Sequence, residues 1–161
     1  MVGRSKHYIV MFNQCHLRVI RISFFCIWFA AVKLVAADPL LVGVWKTIDD
    51  RTHTARGTVQ LYEQNGAIFG RIATVVDPKD SAEVCRLCEG DRRNKPVVGL
   101  IFLRNMKKQG SEYGGGDILD PDTGRVYRCK INLQDGGKKL VVRGYIGFSL
   151  LGRSQVWIRE Q

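Results

Sequence analysis

Apolar and polar residues alternate in short runs along most of this chain, and turn residues separate the runs. In residues 58–63, Val59 and Leu61 fall on one face and polar side chains on the other. A period of two is typical of a half-buried β-strand. Asn-Gly at positions 65–66 predicts a tight hairpin, because both residues tolerate positive φ. Residues 67–76 are then the returning strand.

The same signals predict six further strands, at residues 42–48, 97–105, 113–119, 126–133, 139–145 and 154–159. Polar residues 77–96 form the longest connection, with one helical turn predicted around residues 81–87. Eight strands joined by turns favour an all-β fold, an antiparallel up-and-down β-barrel. A β-sandwich is the alternative. We expect residues 143–157 to meet Gly43-Val-Trp45 at positions 43–45 and so close the barrel.

Residues 1–37 have the pattern of a secretory signal peptide rather than of a folded element. Basic residues precede an apolar run at 22–32, and small residues end the segment at Ala37. The run is shorter than the roughly 20 residues that span a bilayer. We expect cleavage after Ala37, a periplasmic or secreted protein, and one barrel domain at 38–161. Translation from Met11 and an uncleaved membrane anchor are the alternatives.

The leader explains much of the positive charge. The chain has 25 basic and 15 acidic residues and a formal net charge of +10. Five basic and no acidic residues lie in the leader, so the remainder is about +5, with its basic residues scattered. A nucleic-acid binder shows a clustered basic surface. We therefore expect no nucleic-acid partner, and no membrane contact once the leader is removed.

The cysteines offer the most specific chemistry in the sequence. Cys85 and Cys88 are separated by two residues in the long connection, and an exported protein favours a local disulfide between them. A redox-active pair, or a zinc site completed by Cys129 and His53, is the alternative. Alternation places Cys129 on a buried face as a small core residue. No cofactor or metal is expected.

Arg143 and Tyr145 lie two apart on one predicted strand and so share a face. If that face is interior, Arg143 needs a partner, because an unpaired buried charge is costly. A ligand carboxylate is one candidate partner. Solvent, an internal aspartate or stacking on Trp45 or Trp157 is the alternative. Ser149 lacks the sequence setting of a catalytic serine, so no catalytic residues are predicted.

The chain resembles a family of exported bacterial proteins, domain of unknown function 2147. The matching motifs are Gly43-Val-Trp45 with Asp49-Asp50, Gly66-x-x-x-Gly70-Arg-Ile72, Cys85-x-x-Cys88, Pro96-x-x-Gly99, Gly115-Gly116-x-Ile-x-Asp120-Pro121, Gly124-x-x-Tyr127, Arg143-Gly-Tyr-Ile-Gly147, and Leu151-Gly-Arg153 with Trp157. The resemblance implies a small lipocalin-like barrel and no established activity. Gly-x-Trp at 43–45 with Arg159 also resembles lipocalins, in which such a pair packs at the closed barrel end.

Together these observations predict an exported, non-enzymatic barrel that binds a small hydrophobic or amphipathic ligand. The alternative is an envelope interaction module with a solid core and no ligand. The hypothetical ligand-binding residues are Trp45, Arg143, Tyr145, Arg153 and Trp157.

Overall fold

Eight antiparallel strands close into a barrel in the computed structural model, which describes residues 38–160. The strands are β1 (Gly43–Ile48), β2 (Ala55–Gln64), β3 (Ala67–Val75), β4 (Ile101–Gln109), β5 (Glu112–Leu119), β6 (Val126–Gln134), β7 (Lys139–Tyr145) and β8 (Gly152–Arg159). Each strand pairs with the next along the chain, and β8 pairs with β1. The predicted up-and-down barrel is confirmed, and the sandwich alternative is wrong.

The β2–β3 hairpin forms where the sequence predicted it. Gln64 pairs with Ala67, and the two residues between them have positive φ, 52° for Asn65 and 74° for Gly66. These angles match the right-handed twist of the flanking strands, so a two-residue connection suffices.

Closure of the barrel depends on three paired positions between the first and last strands. Trp45 pairs with Arg159, and Thr47 pairs with Trp157. The predicted closure of the barrel by these two strands is therefore confirmed, although Trp157 lies opposite Thr47 rather than residues 43–45. Because the pairing leaves no free sheet edge, the barrel has no exposed strand to recruit another chain.

The long connection departs from the prediction in two places. β4 begins at Ile101, later than predicted, because residues 97–100 belong to the connection. That stretch is tied to β3 by hydrogen bonds from the Gly99 amide to the Ile72 carbonyl (2.8 Å) and from the Ile72 amide to the Leu100 carbonyl (3.1 Å). Instead of one helical turn at 81–87, short 3-10 turns form at Asp80–Ala82 and Gly90–Arg92.

The core fills one half of the barrel, towards the end where the β2–β3, β4–β5 and β6–β7 hairpins lie. We call this the closed end. Its side chains are completely buried and alternate with outward-facing residues along their strands: Trp45, Leu61, Ile68, Met106, Ile131 and Leu140. Burying a large apolar side chain contributes roughly 1.5–3 kcal/mol, so this layer is the main source of stability.

Arg159 covers the closed end. Its guanidinium lies 4.4 Å from the centroid of the Trp45 ring, and its Nε donates to the Gly137 carbonyl at 2.8 Å. Trp45 in turn donates from Nε1 to the carbonyl of Leu41 at 3.0 Å, which draws the segment before β1 over the barrel end. The predicted pairing of Trp45 and Arg159 at a barrel end is confirmed.

The two cysteines of the long connection form a disulfide, as predicted, and both are buried. Cys129 is a free, fully buried thiol on β6, also as predicted. Burial raises its pKa to about 12, because the thiolate would lose its hydration. A thiol of this kind is a packing residue and not a nucleophile.

The predicted signal peptide, residues 1–37, lies outside the described residues, so its cleavage, the domain boundary and the localisation stay predictions. Within residues 38–160, no helix is long and apolar enough to cross a membrane.

Thiol labelling tests the cysteine assignments. A chain beginning at Asp38 contains three cysteines. When unfolded without reductant, it should take up alkylating label on Cys129 alone, because Cys85 and Cys88 are bonded to each other. After reduction all three should label, and the folded protein should label none of them. Mass spectrometry counts the added groups, and three labels without reductant would contradict the disulfide.

Replacing the side chain that covers the closed end should destabilise the barrel. Arg159→Met removes a cation–π contact and charged hydrogen bonds, so the free energy of unfolding in urea should fall by about 2 kcal/mol. Lys46→Met is the control, since it breaks only a surface ion pair with Glu160 and should cost less than about 1 kcal/mol. Equal losses from the two variants would show that Arg159 has no special role.

Candidate functional site: the barrel cavity

The other half of the barrel is hollow. A cavity of about 720 Å³ opens at the end where the β1–β2, β3–β4, β5–β6 and β7–β8 loops lie, which we call the mouth. Ligand pockets in proteins typically measure about 300–1,000 Å³. The interior is therefore not solid, and it has room for one small molecule.

Apolar side chains form the deep wall of the cavity. They come from six of the eight strands and include Val59, Ile72, Phe102, Ile118, Val142 and Trp157. Each lies on the inward face of its strand, so the same alternation that builds the core also lines the space beyond it. A surface of this kind favours an aliphatic or aromatic group over a charged one.

Trp157 marks the boundary between the core and the cavity. Its ring packs against Phe102, with centroids 5.9 Å apart and planes at 51°, and only 2% of its surface is exposed. Its Nε1 donates to Gln155 Oε1 at 3.1 Å, so the indole N–H is satisfied inside the barrel. Gln155 also lines the cavity and leaves an amide NH2 group able to donate a hydrogen bond there.

Charged residues surround the mouth, and its two lining arginines are already paired. Arg56 Nη2 lies 3.0 Å from Asp122 Oδ2, and its Nη1 lies 3.7 Å from Asp49 Oδ2. Arg153 pairs through Nε with Asp50. These ion pairs join the β1–β2 region to the β5–β6 turn and to β8.

Hydrogen bonds at the mouth lower the pKa values of its two paired aspartates, Asp49 and Asp50. The hydrogen bond from Arg153 holds the pKa of Asp50 below its ordinary value. Backbone N–H groups of Thr52 and Arg51 hold the pKa of Asp49 low in the same way. Both carboxyl groups therefore stay ionised well into the acidic range.

The long β3–β4 connection covers part of the mouth. Its residues Asp80, Glu83, Val84 and Val97 line the cavity. The disulfide closes a small loop within this connection. The connection also contacts the β5–β6 turn, since a Cβ at Gly124 would lie 2.0 Å from the Leu87 carbonyl oxygen. Only glycine permits that close approach, so the connection is seated against the β5–β6 turn.

The hypothetical ligand-binding residues lie in three different places. Trp157 and Arg153 line the cavity, and so does Tyr145, the last residue of β7, at the mouth. Trp45 lies at the closed end beneath Arg159. Arg143 does not line the cavity. The structure brings the first three together and separates the other two from them.

Arg143 instead holds the β7–β8 loop. Its Nε donates to the Ser149 carbonyl at 2.6 Å, its Nη2 to the Leu150 carbonyl at 3.1 Å, and its Nη1 to Ser154 Oγ at 2.9 Å. Leu140 and Val142 are the buried residues of β7, so the Arg143 face is the outer one. The hypothesis that an interior Arg143 binds a ligand carboxylate is therefore not supported.

Sequence reasoning missed much of the apolar wall. Phe102, Ile72 and Val142 were read only as strand residues, although each faces the cavity. Alternation identifies inward residues, but it does not reveal how far along the barrel the packing stops. Arg56 precedes the strand predicted at residues 58–63, and its partner Asp122 is 66 residues away in the sequence, so no local pattern indicates their pairing.

Residues 43–159 match the family called domain of unknown function 2147, described as an uncharacterized protein conserved in bacteria. The chain belongs to this family. The match begins and ends with the paired strands β1 and β8, so it covers the whole closed barrel. No curated protein matches the chain.

Among solved structures, the barrel is similar to protein HP1028 from the human pathogen Helicobacter pylori, which belongs to the lipocalin family. The two sequences are 22% identical, and the match covers 75% of this chain and 83% of that chain with a TM-score of 0.66. At this identity the likeness establishes the fold, a lipocalin-like barrel.

Within residues 38–160, no group of three or more histidine, cysteine or acidic side chains is arranged to hold a metal ion. The lining residues offer apolar contact along the wall of the cavity and hydrogen bonding from Gln155 and the mouth.

The Asp50–Arg153 pair should make stability depend on acid pH. Because the folded state lowers the pKa of Asp50, its contribution is present above the ordinary value of 3.8 and is lost as pH falls through the lower, folded value. Urea unfolding across this acidic range should show a smaller loss for Asp50→Asn than for the wild type. Asp77→Asn, in the exposed β3–β4 connection, is the control, and an identical pH profile for Asp50→Asn and wild type would disprove the coupling.

Proposed function

We propose that this barrel binds a small apolar or amphipathic molecule in its cavity and carries out no catalysis. The observation that carries the proposal is the cavity itself: about 720 Å³, with an apolar wall and one open end. Eight-stranded barrels with room beyond their core hold one small ligand. The lipocalin-like fold supports the same reading.

The apolar part of the ligand lies against Phe102, Val142 and Trp157 at the bottom of the cavity. These side chains are rigid and already buried, so little conformational entropy is lost when the ligand enters. The NH2 group of Gln155 is placed to bind a single polar atom within this wall.

The polar end of the ligand lies at the mouth and is uncharged or cationic. Four carboxylates line the cavity there, those of Asp80, Glu83, Asp120 and Asp122, against the two arginines that are already paired. A carboxylate on the ligand would therefore meet excess negative charge, which disfavours it. The proposed ligand therefore differs from the carboxylate-bearing ligand that the sequence suggested as a partner for Arg143.

Two fluorescent dyes of similar shape test the cavity and its charge. Neutral N-phenylnaphthylamine should bind to the chain beginning at Asp38, and anionic anilinonaphthalene sulfonate should bind several-fold more weakly. Native mass spectrometry of the gently purified protein should reveal a co-purifying apolar molecule that the neutral dye displaces.

Filling the cavity should abolish this binding. A Cβ at Gly144 would meet only ordinary contacts of 3.5 Å or more with Ile118 and Tyr127, so Gly144→Leu is accommodated and extends into the cavity. The dissociation constant of the neutral dye should rise by about tenfold or more, since overpacking a site costs 1–3 kcal/mol. Val141→Leu adds bulk on the outer face and should leave the affinity unchanged. Unchanged affinity in Gly144→Leu would exclude the cavity as the binding site.

A further inference from the structure

The β7–β8 loop, residues 146–151, is the most hydrophobic exposed segment of the described chain. Four of its six residues have large apolar side chains that are exposed, from 62% to 89% of their surface: Ile146, Phe148, Leu150 and Leu151, which we call the apolar tip. Other exposed apolar side chains are distributed over strands and separate loops. Contiguous exposed apolar surface in a soluble protein marks an interaction site.

Four backbone carbonyls of this loop are hydrogen-bonded from within the protein. The Leu151 amide donates to the Phe148 carbonyl at 3.0 Å, and the Ile146 amide donates to the Leu151 carbonyl at 3.2 Å. The carbonyls at positions 149–150 accept from the Arg143 guanidinium. Backbone groups without a partner are costly where water is scarce. This loop can therefore leave water with four of its carbonyls still bonded.

Positively charged side chains lie beside the tip. Of the five basic residues at positions 136–159, only Arg143 and Arg153 lie next to the loop, and Arg153 is already paired with Asp50. Arg143 lies at the base of the loop, and Arg128 is exposed on β6 opposite Tyr145, the last residue of β7. Neither arginine has a carboxylate partner within residues 38–160. The tip thus combines apolar side chains with unneutralised cations, which complements a surface of anionic phospholipid.

The tip is also continuous with the cavity. Ile146 and Leu151 belong to the tip and line the cavity mouth at the same time. Apolar surface therefore extends from the cavity mouth to the exposed end of the loop.

We propose that the apolar tip inserts into the surface of an anionic phospholipid bilayer. Phe148 and Leu150 enter the interface, and Arg128 and Arg143 contact the headgroups. The proposal departs from the expectation that no membrane contact follows leader removal. It does not depend on the proposed ligand.

Sedimentation with large vesicles tests the inference on the chain beginning at Asp38, which contains the whole closed barrel. We expect binding to an equimolar mixture of phosphatidylcholine and phosphatidylglycerol, weaker binding to phosphatidylcholine alone, and a decrease with added salt. Replacing Phe148 and Leu150 together by serine should lower the partition coefficient by at least about tenfold, because burying each side chain is favourable by 1.5–3 kcal/mol. Arg128→Gln should lower binding to the anionic vesicles alone, by about fivefold, since each arginine near the surface contributes about 1 kcal/mol.

Val44→Ser is the matched control, because Val44 is also exposed but lies on β1, towards the closed end. It should bind vesicles as the wild type does. Vesicle binding that is absent in the wild type, or unchanged in the double serine variant, would overturn the proposal. So would a wild-type dimer that the double variant converts to monomer in the absence of vesicle binding, because the tip would then be a contact between copies of this chain.

The neutral-dye assay separates this inference from the cavity proposal. The double serine variant should keep the dye affinity of the wild type while losing vesicle binding. Gly144→Leu should show the reverse. Loss of both properties in the double variant, with its circular dichroism unchanged, would contradict the independence of the two sites.

Discussion

The cation–π contact of Arg159 with Trp45 joins β8, the last strand of the barrel, to β1, the first, and the cavity depends on this closure. Trp45 and Arg159 are paired neighbours on β1 and β8, and the Arg159 guanidinium covers the indole and donates to the Gly137 carbonyl. A barrel opened at this seam would expose two strand edges together with the core beside them. The closed end is therefore the rigid base from which the cavity walls extend.

The mouth is built by a different kind of interaction. Ion pairs, a disulfide and the loop contacts of Arg143 connect its loops, and most of these groups are exposed. Exposed pairs contribute little free energy each, so the mouth is less strongly held than the closed end. Such a division suits a binding barrel, since ligand entry requires movement at the mouth while the base stays fixed.

The apolar wall of the cavity and the apolar tip have the same physical property: both expose apolar side chains where no other described part of the protein packs against them. Inside the barrel, Phe102 and Trp157 leave space that water fills poorly. Outside it, Phe148 and Leu150 expose apolar area that water also solvates poorly. Both features raise the free energy of the unbound protein in water, and both would be relieved by contact with apolar material. The proposed ligand and the proposed bilayer would each remove one of these apolar surfaces from water, independently of the other.

The sequence by itself determined the strands, their order and the inward residues, because alternation and turn chemistry are local properties. Val59, Leu61 and Cys129 were placed on buried faces correctly, and the disulfide and the meeting of β1 with β8 followed from short motifs. Only the tertiary structure decided that Arg143 faces outward and holds a loop, that Arg56 pairs with Asp122, and that packing stops near Trp157. Those outcomes depend on which strand positions face each other around a closed barrel. The cavity is lined by side chains that are far apart in the sequence, so its presence and size cannot be inferred from any single segment.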